Sequence, residues 1–188
     1  MISTIDAAKG VYGAWRLAHG DRSGLAFFDS SLDGFWRSFG AAIVALPAYA
    51  VLVGLSIAEQ PGDVDYGGTA LVESIAYTMD WFAFPLAALY LTRAMGKGGN
   101  YTRLIVALNW ARMIEAAVMV PAALVASLAD GEGPLAVVPI VVFLGILVYH
   151  WWVTRVALDV TGVEAMLVLL VNLSIGVAIA LWARSLLF

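Results

Sequence analysis

The stretch PLAVVPIVVFLGILVYHWWVT, residues 134–154, contains no Asp, Glu, Lys or Arg. A second stretch, GVEAMLVLLVNLSIGVAIALWA at residues 162–183, contains a single charged residue, Glu164. A helix needs about 20 mostly apolar residues to cross the hydrocarbon core of a bilayer, and both stretches meet that length. Because only residues 155–161 separate them, the sequence predicts two antiparallel helices that cross a membrane side by side.

Three earlier stretches pass the same test of length and apolarity. The chain is 62% hydrophobic and 13% charged, whereas a soluble domain has about 45–50% apolar and about 25% charged residues. The sequence therefore predicts an all-α protein with five transmembrane helices in one domain over residues 35–188, preceded by a cytoplasmic segment over residues 1–34. The predicted spans are residues 35–57, 69–92, 104–126, 134–154 and 162–183.

The distribution of basic residues predicts the orientation, because Lys and Arg concentrate in cytoplasmic loops. The segments at residues 58–68 and 127–133 contain acidic residues and no basic ones. Basic residues fill the alternate segments: Lys9, Arg16, Arg22, Arg93, Lys97, Arg103 and Arg155. We expect a cytoplasmic N-terminus and a C-terminus on the opposite side of a bacterial inner (plasma) membrane.

The N-terminal segment has the pattern of an amphipathic helix. Ile5, Ala8, Tyr12 and Trp15 recur at helical spacing. Such a helix lies in the cytoplasmic interface of the membrane, with its apolar face in the lipid. Alternatively, the apolar face packs on the cytoplasmic ends of the spans, and the sequence leaves both arrangements open.

Three charged residues are expected near mid-depth in the membrane, where ionisable side chains are costly and often functional. By helix rise, Asp80 lies about 18 Å, Glu115 about 16 Å and Arg112 about 12 Å from the cytoplasmic side. We predict that the three residues form one binding or proton-accepting site. The alternatives are an ion pair that only fixes helix register and a contact with a partner protein.

Other polar residues within the spans are weaker candidates. Asn109 and Asn172 either strengthen helix packing or line a small polar cavity. His150 is expected at the cytoplasmic interface, where it caps a helix or binds a ligand. An enzymatic site would need His150 together with Asp159 and Glu164 on that side.

Several classes of function find no support in the sequence. The chain has no cysteine and only two histidines, so we predict no metal site and no cofactor. Its ten basic residues are too few for a nucleic-acid surface. Motifs of the common hydrolases and metalloproteases are absent, and the sequence therefore predicts a protein that is not an enzyme.

Three short segments are similar to stretches of bacterial inner-membrane proteins of this size: FWRSF at residues 35–39, NWAR at 109–112 and WWV at 151–153. In its layout, a cytoplasmic segment followed by five close spans, the chain resembles the Yip (Ypt-interacting) family. The resemblance implies a non-enzymatic role in membrane organisation, or an accessory role beside a larger complex. We expect such a protein to act through contacts with the lipid bilayer, with a membrane-protein partner or with a second copy. The alternative is a small transporter or channel-like protein that uses Asp80, Arg112 and Glu115.

Overall fold

The computed structural model describes residues 3–58, 64–128 and 134–187. The predicted all-α class is confirmed, because these residues form helices and connecting turns with no strand. The helices are α1 (Thr4–Ala18), α2 (Leu32–Ser38), α3 (Ala41–Ala58), α4 (Tyr66–Ala94), α5 (Tyr101–Ser127), α6 (Val138–Leu158) and α7 (Gly162–Leu187). Short 3-10 turns cover Arg22–Phe27, Gly98–Asn100 and Pro134–Val137. The acidic segments at residues 59–63 and 129–133, used above for the orientation, lie outside the described residues.

Four helical stretches among the described residues are long and apolar enough to cross a membrane: Leu32–Ala58, Gly98–Ser127, Pro134–Leu158 and Gly162–Leu187. They correspond to the predicted first, third, fourth and fifth spans. The predicted second span is α4, which has 29 residues but is less apolar, since it carries Glu73 and Asp80 among its small and hydroxyl residues. These four apolar helices are compatible with a multi-pass membrane protein.

Helix α5 is the central element of the bundle. Its residues Leu104 to Ala111 are all buried, although a helix that packs on one side buries only one stripe of side chains. The reason is that α1, α2, α3 and α6 all pack against α5. Helix α4 packs mainly against α7 instead. The arrangement leaves the second half of α5 facing a gap toward α4 and α7.

Helix α1 packs through a face of small residues rather than through the aromatic face. Gly10, Gly13 and Ala14 are buried, and Gly10 lies directly against the ring of Trp110 on α5. The apolar face predicted from Tyr12 and its neighbours is exposed. Of the two arrangements left open above, packing of this apolar face on the bundle is not the one observed. Helix α1 packs instead through Leu17 and its small residues, and Gly10 allows its backbone to approach α5 closely.

Both ends of α1 are held by local hydrogen bonds. Ser3 and Asp6 form a reciprocal capping box at the N-terminus. After the C-terminal end, Arg16 pairs with Asp21, and Asp21 also accepts hydrogen bonds from Ser23. The bonds from Ser23, with the Arg16 pair, lower the pKa of the Asp21 carboxyl to about 2. The turn from α1 into the following 3-10 segment is thereby fixed.

Side chains of the α4–α5 connection cap the C-terminal end of α6. Lys97 Nζ donates to the carbonyl of Asp159 at 2.5 Å, Asn100 Nδ2 to that of Leu158 at 2.8 Å, and Arg103 Nε to that of Ala157 at 2.6 Å. The last carbonyls of a helix have no partner within the helix, and cations are favoured at this negative end. The connection thus joins α6 to α4 and α5 at one end of the bundle.

We expect replacement of Asn100 by Ala to lower the free energy of unfolding by about 1 kcal/mol, the usual net value of such a hydrogen bond. The measurement is thermal unfolding of the protein purified in a mild detergent. Ser185→Ala is the matched control, because the Ser185 hydroxyl bonds only to Trp182 of its own helix. Equal stability of the two variants would contradict a capping role for Asn100.

Candidate functional site

The gap beside α5 is a charged cavity of about 520 Å³ between α3, α4, α5 and α7. Its polar and aromatic lining comprises Tyr49, Ser56, Glu73, Tyr77, Asp80, Trp81, Arg112 and Arg184. A second cavity, of about 420 Å³, lies between α5, α6 and α7 and is also lined by Asp80 and Arg112. We call these two spaces the first and the second cavity. The Asp80–Arg112 pair lies where they meet.

Asp80 and Arg112 form an ion pair between α4 and α5. Arg112 Nη1 donates to Asp80 Oδ2 at 2.5 Å, and Nη2 donates to the Asp80 carbonyl oxygen at 3.2 Å. The guanidinium also lies 4.5 Å from the centroid of the Trp81 ring, a cation–π contact. The Asp80 side chain is 43% exposed, which places the carboxylate at the cavity surface rather than in the packed core.

Glu115 lines the second cavity together with Asp80 and Arg112, but it bonds neither of them. Its Oε1 lies 3.3 Å from His150 Nδ1 on α6, and His150 Nε2 lies 2.9 Å from Asn172 Nδ2 on α7. The i, i+3 spacing puts Arg112 and Glu115 on neighbouring parts of one face. Because α4 and α6 flank that face on opposite sides, each residue takes a different partner. We call Glu115, His150 and Asn172 the histidine cluster.

The two asparagines have separate environments. Asn109 Nδ2 donates to Ser38 Oγ at 2.9 Å, and Ser38 Oγ donates to the Phe35 carbonyl at 2.7 Å. Asn109 and Ser38 are both buried, so this bond fixes α2 onto α5. Asn172 lines the second cavity. The suggested cavity that contains both asparagines does not form, and the packing alternative describes Asn109.

The sequence placed His150 at the membrane interface, but the structure buries it among α5, α6 and α7, with 8% of its surface exposed. His150 lies eight residues before the end of α6, which is about 12 Å along the helix. This distance is the sequence feature that could have placed His150 away from the interface. Glu164 lies elsewhere, where its carboxylate caps α7 and accepts bonds from Thr161 at 2.8 Å. The candidate enzymatic set of His150 with Asp159 and Glu164 is therefore not assembled.

Two further polar groups of the first cavity were not assigned to the site from the sequence. Glu73 accepts a hydrogen bond from the Tyr49 hydroxyl at 2.6 Å. The indole nitrogen of Trp81 is buried and has no hydrogen-bond partner within the described ranges. A buried donor without a partner is uncommon and costly. A nitrogen buried this deeply does not face the cavity, so Trp81 contributes its ring to the cation–π contact with Arg112 rather than a donor for a solute.

No group of three or more metal-ligating side chains occurs among the residues that the structure describes. No model of a protein family, no curated protein and no solved structure matches the chain.

Proposed function

We propose that α4 also crosses the membrane, which gives five spans with the four apolar helices. An uninterrupted stripe of exposed apolar side chains runs along α4: Leu71, Ile75, Met79, Phe82, Leu86 and Tyr90. At 1.5 Å per residue this stripe is about 28 Å long, close to the hydrocarbon thickness of about 30 Å. The charged residues Glu73 and Asp80 line the cavity instead. The mean hydropathy of α4 is therefore low because of the charged residues that line the cavity, whereas the stripe on its outer face is apolar.

The exposed hydroxyl residues of α4 support the same arrangement. Ser74 Oγ donates to the Ala70 carbonyl at 2.6 Å, and Thr78 Oγ1 donates to the Ser74 carbonyl at 2.9 Å. Hydroxyls bonded to their own helix in this way need no water, so lipid can cover them.

The basic cluster at the end of α6, which includes Lys97 and Arg103, supports the predicted orientation. Cytoplasmic ends of spans carry the excess of Lys and Arg. We therefore propose that this end of the bundle faces the cytoplasm of a bacterial cell and that α7 ends on the opposite side of the inner membrane. The exposed aromatic face of α1 then meets lipid headgroups at the cytoplasmic surface, as Tyr and Trp side chains commonly do.

We propose that the protein is a small transporter or channel-like protein that binds a charged solute in the first cavity. The observation that carries this proposal is the position of the Asp80–Arg112 pair at the junction of two cavities. Complete burial of an ion pair costs desolvation, and a pair that only held two helices together would need no open space beside its carboxylate. Here the Asp80 carboxylate borders open space in both cavities.

The chemistry of the pair favours a small solute that carries both charges, such as a free amino acid. Asp80 bonds Arg112 through Oδ2 and its carbonyl oxygen, which leaves Oδ1 to accept from an ammonium group. A guanidinium has five N–H donors, so Arg112 keeps donors for a carboxylate. A volume of about 520 Å³ lies within the usual range for ligand sites, about 300–1,000 Å³.

The other role expected from the sequence, contact with a partner protein as a non-enzymatic accessory subunit, stays a prediction. It requires an apolar face that matches a partner. The exposed apolar side chains of α4, α6 and α7 are those that lipid would cover in any bundle, because bilayer chains are as apolar as the side chains themselves. Open charged cavities therefore favour solute binding over this role.

Cysteine labelling tests whether the first cavity contains water. The chain has no native cysteine, so Ala180→Cys gives a single thiol where the linings of the first and second cavities meet. We expect a water-soluble thiosulfonate reagent, added to cells or spheroplasts, to label this variant, since reaction requires a thiolate and thus water. Leu181→Cys is the matched control: the adjacent residue on α7 is exposed outside the cavity and faces lipid, and should label at least tenfold more slowly.

Uptake tests the solute class directly. Proteoliposomes that contain the wild-type protein should accumulate or exchange a mixture of radiolabelled amino acids faster than protein-free vesicles. Asp80→Asn should abolish the difference. Equal labelling of the two cysteine variants, together with no uptake of the mixture by the wild type, would contradict the proposal and favour the accessory role.

A further inference from the structure

The histidine cluster lies between two separate spaces. On one side is the second cavity, which His150 and Asn172 line together with Glu115. On the other side is a groove of about 290 Å³ between α5 and α6, which Glu115 and Tyr149 line but His150 does not. Glu115 is therefore the one member of the cluster that borders both spaces. The groove also touches Ala18 at the end of α1, beside the exposed turn that follows.

The contacts of the two ring nitrogens of His150 favour one tautomer. With the amide nitrogen of Asn172 facing it, Nε2 must act as an acceptor, because an amide N–H only donates. The imidazole proton is then on Nδ1, which donates to the Glu115 carboxylate. A histidine held between a donor and a carboxylate is the arrangement in which imidazole passes protons. His150 thus has one face toward Glu115 and one toward the second cavity.

We propose that the histidine cluster is a proton relay between the second cavity and the groove at the end of α1. A proton from the cavity adds to Nε2 when the Asn172 amide rotates and presents Oδ1. The Nδ1 proton passes to Glu115 Oε1, and the resulting carboxyl group releases a proton into the groove. One proton enters and one leaves, and the imidazole is neutral before and after. The Nε2 proton then returns to cavity water, and Glu115, which also borders that cavity, takes up a cavity proton and passes it to Nδ1. The Nδ1–H form is thereby restored, and over the cycle the cavity loses one proton and the groove gains one.

Other charges around the relay come from several helices. Asp80 on α4 and Arg112 on α5 line the second cavity, and their pairing leaves no net charge there. The Tyr149 hydroxyl on α6 donates to the Ala14 carbonyl at 2.9 Å, so it is occupied and does not bridge to Glu115. Helix α7 contributes Asn172 and no titratable group to the lining of the second cavity. Glu115 is consequently the carboxylate available to His150.

The inference rests on the proposed membrane-spanning arrangement and on water in the cavities, and it adds proton coupling to the proposed solute site. Asp80 then contacts the solute, while Glu115 carries the proton. His150 and the Asp80–Arg112 pair line the same cavity. The charge of a proton on His150 therefore acts on the pair, because the space between them has a low dielectric.

The first test follows proton entry into proteoliposomes that contain a pH-sensitive dye, after acidification outside and with the membrane potential clamped by potassium and valinomycin. We expect the wild type to acidify the interior faster than protein-free vesicles, and Glu115→Gln to slow the protein-dependent rate at least tenfold. Glu164→Gln is the matched control, because Glu164 caps α7 outside the cavities, and it should retain the wild-type rate. An unchanged rate in Glu115→Gln, or no acceleration by the wild type, would overturn the relay.

A second measurement does not depend on flux. The variant His19→Gln leaves His150 as the only histidine, since the chain has two, and nitrogen NMR then reports its tautomer. We expect a neutral ring with the proton on Nδ1 when Glu115 and Asn172 are present, and a mixed tautomer in Asn172→Leu. A proton on Nε2 in the His19→Gln protein would also overturn the relay.

The two proposals can fail separately. Amino-acid uptake without Glu115-dependent proton entry removes the relay and keeps the solute site. Glu115-dependent proton entry without uptake of the amino-acid mixture keeps the relay and removes that solute class.

Discussion

Replacing Arg112 by Leu is expected to lower the free energy of unfolding by about 3 kcal/mol, the lower end of the range for breaking a buried ion pair. The loss arises because Asp80 then stays charged without its partner, in a cavity whose walls are largely apolar. The value is at the lower end because the Asp80 side chain is 43% exposed and cavity water offsets part of the cost. Thermal and denaturant unfolding in detergent would measure it.

The double variant Asp80→Asn with Arg112→Leu is the control for unpaired charge. It removes both charges of the pair, and we expect it to regain most of the lost stability, so the two changes are strongly non-additive. A stable double variant that takes up no amino acids supports a binding site. A double variant that regains both stability and uptake would show that the pair only fixes the register of α4 and α5.

The second large effect is expected at Gly10. A Cβ atom at this position would lie 2.2 Å from Cδ2 and 2.3 Å from Cε2 of Trp110, far inside van der Waals contact. Trp110 is itself buried within the fully packed part of α5 and has little space to move. Overpacking costs about 1–3 kcal/mol, and Ala favours a helix over Gly by about 1 kcal/mol. Because the contacts are so short, we expect the upper end of the overpacking range, which makes Gly10→Ala up to about 2 kcal/mol less stable net.

Gly54→Ala is the matched control for this change. Gly54 also lies within a helix, but nothing comes within 4 Å of a Cβ atom built there. The same substitution should therefore stabilise α3 by up to about 1 kcal/mol. Unfolding curves and hydrogen exchange of α1 would compare the two. If Gly10→Ala proved as stable as the wild type, the close packing of α1 on α5 would be contradicted.

The sequence predicted individual positions in the site better than it predicted their partners. Asp80 and Arg112 were expected to meet, because consecutive spans are adjacent and helix rise gives similar depths. Glu115 was grouped with them for the same reason. Depth and spacing do not specify how each helix is rotated about its axis, and this rotation turns Glu115 toward His150. Trp81, whose buried indole nitrogen has no hydrogen-bond partner among the described residues, could not be singled out from the sequence. Its burial depends on tertiary contacts that leave no sequence pattern.

The sequence by itself determined where the helices lie, because long apolar stretches in a chain with few charges have no other way to satisfy the backbone in lipid. The predicted and observed limits of α6 and α7 differ by only a few residues. The tertiary structure decided which helices are neighbours: α4 packs against α7 and leaves a cavity beside α5. It also decided that α1 packs through Gly10 and its small neighbours, with its aromatic side chains outward. Such choices depend on the shapes of surfaces from distant parts of the chain, and a hydrophobic pattern does not record shape.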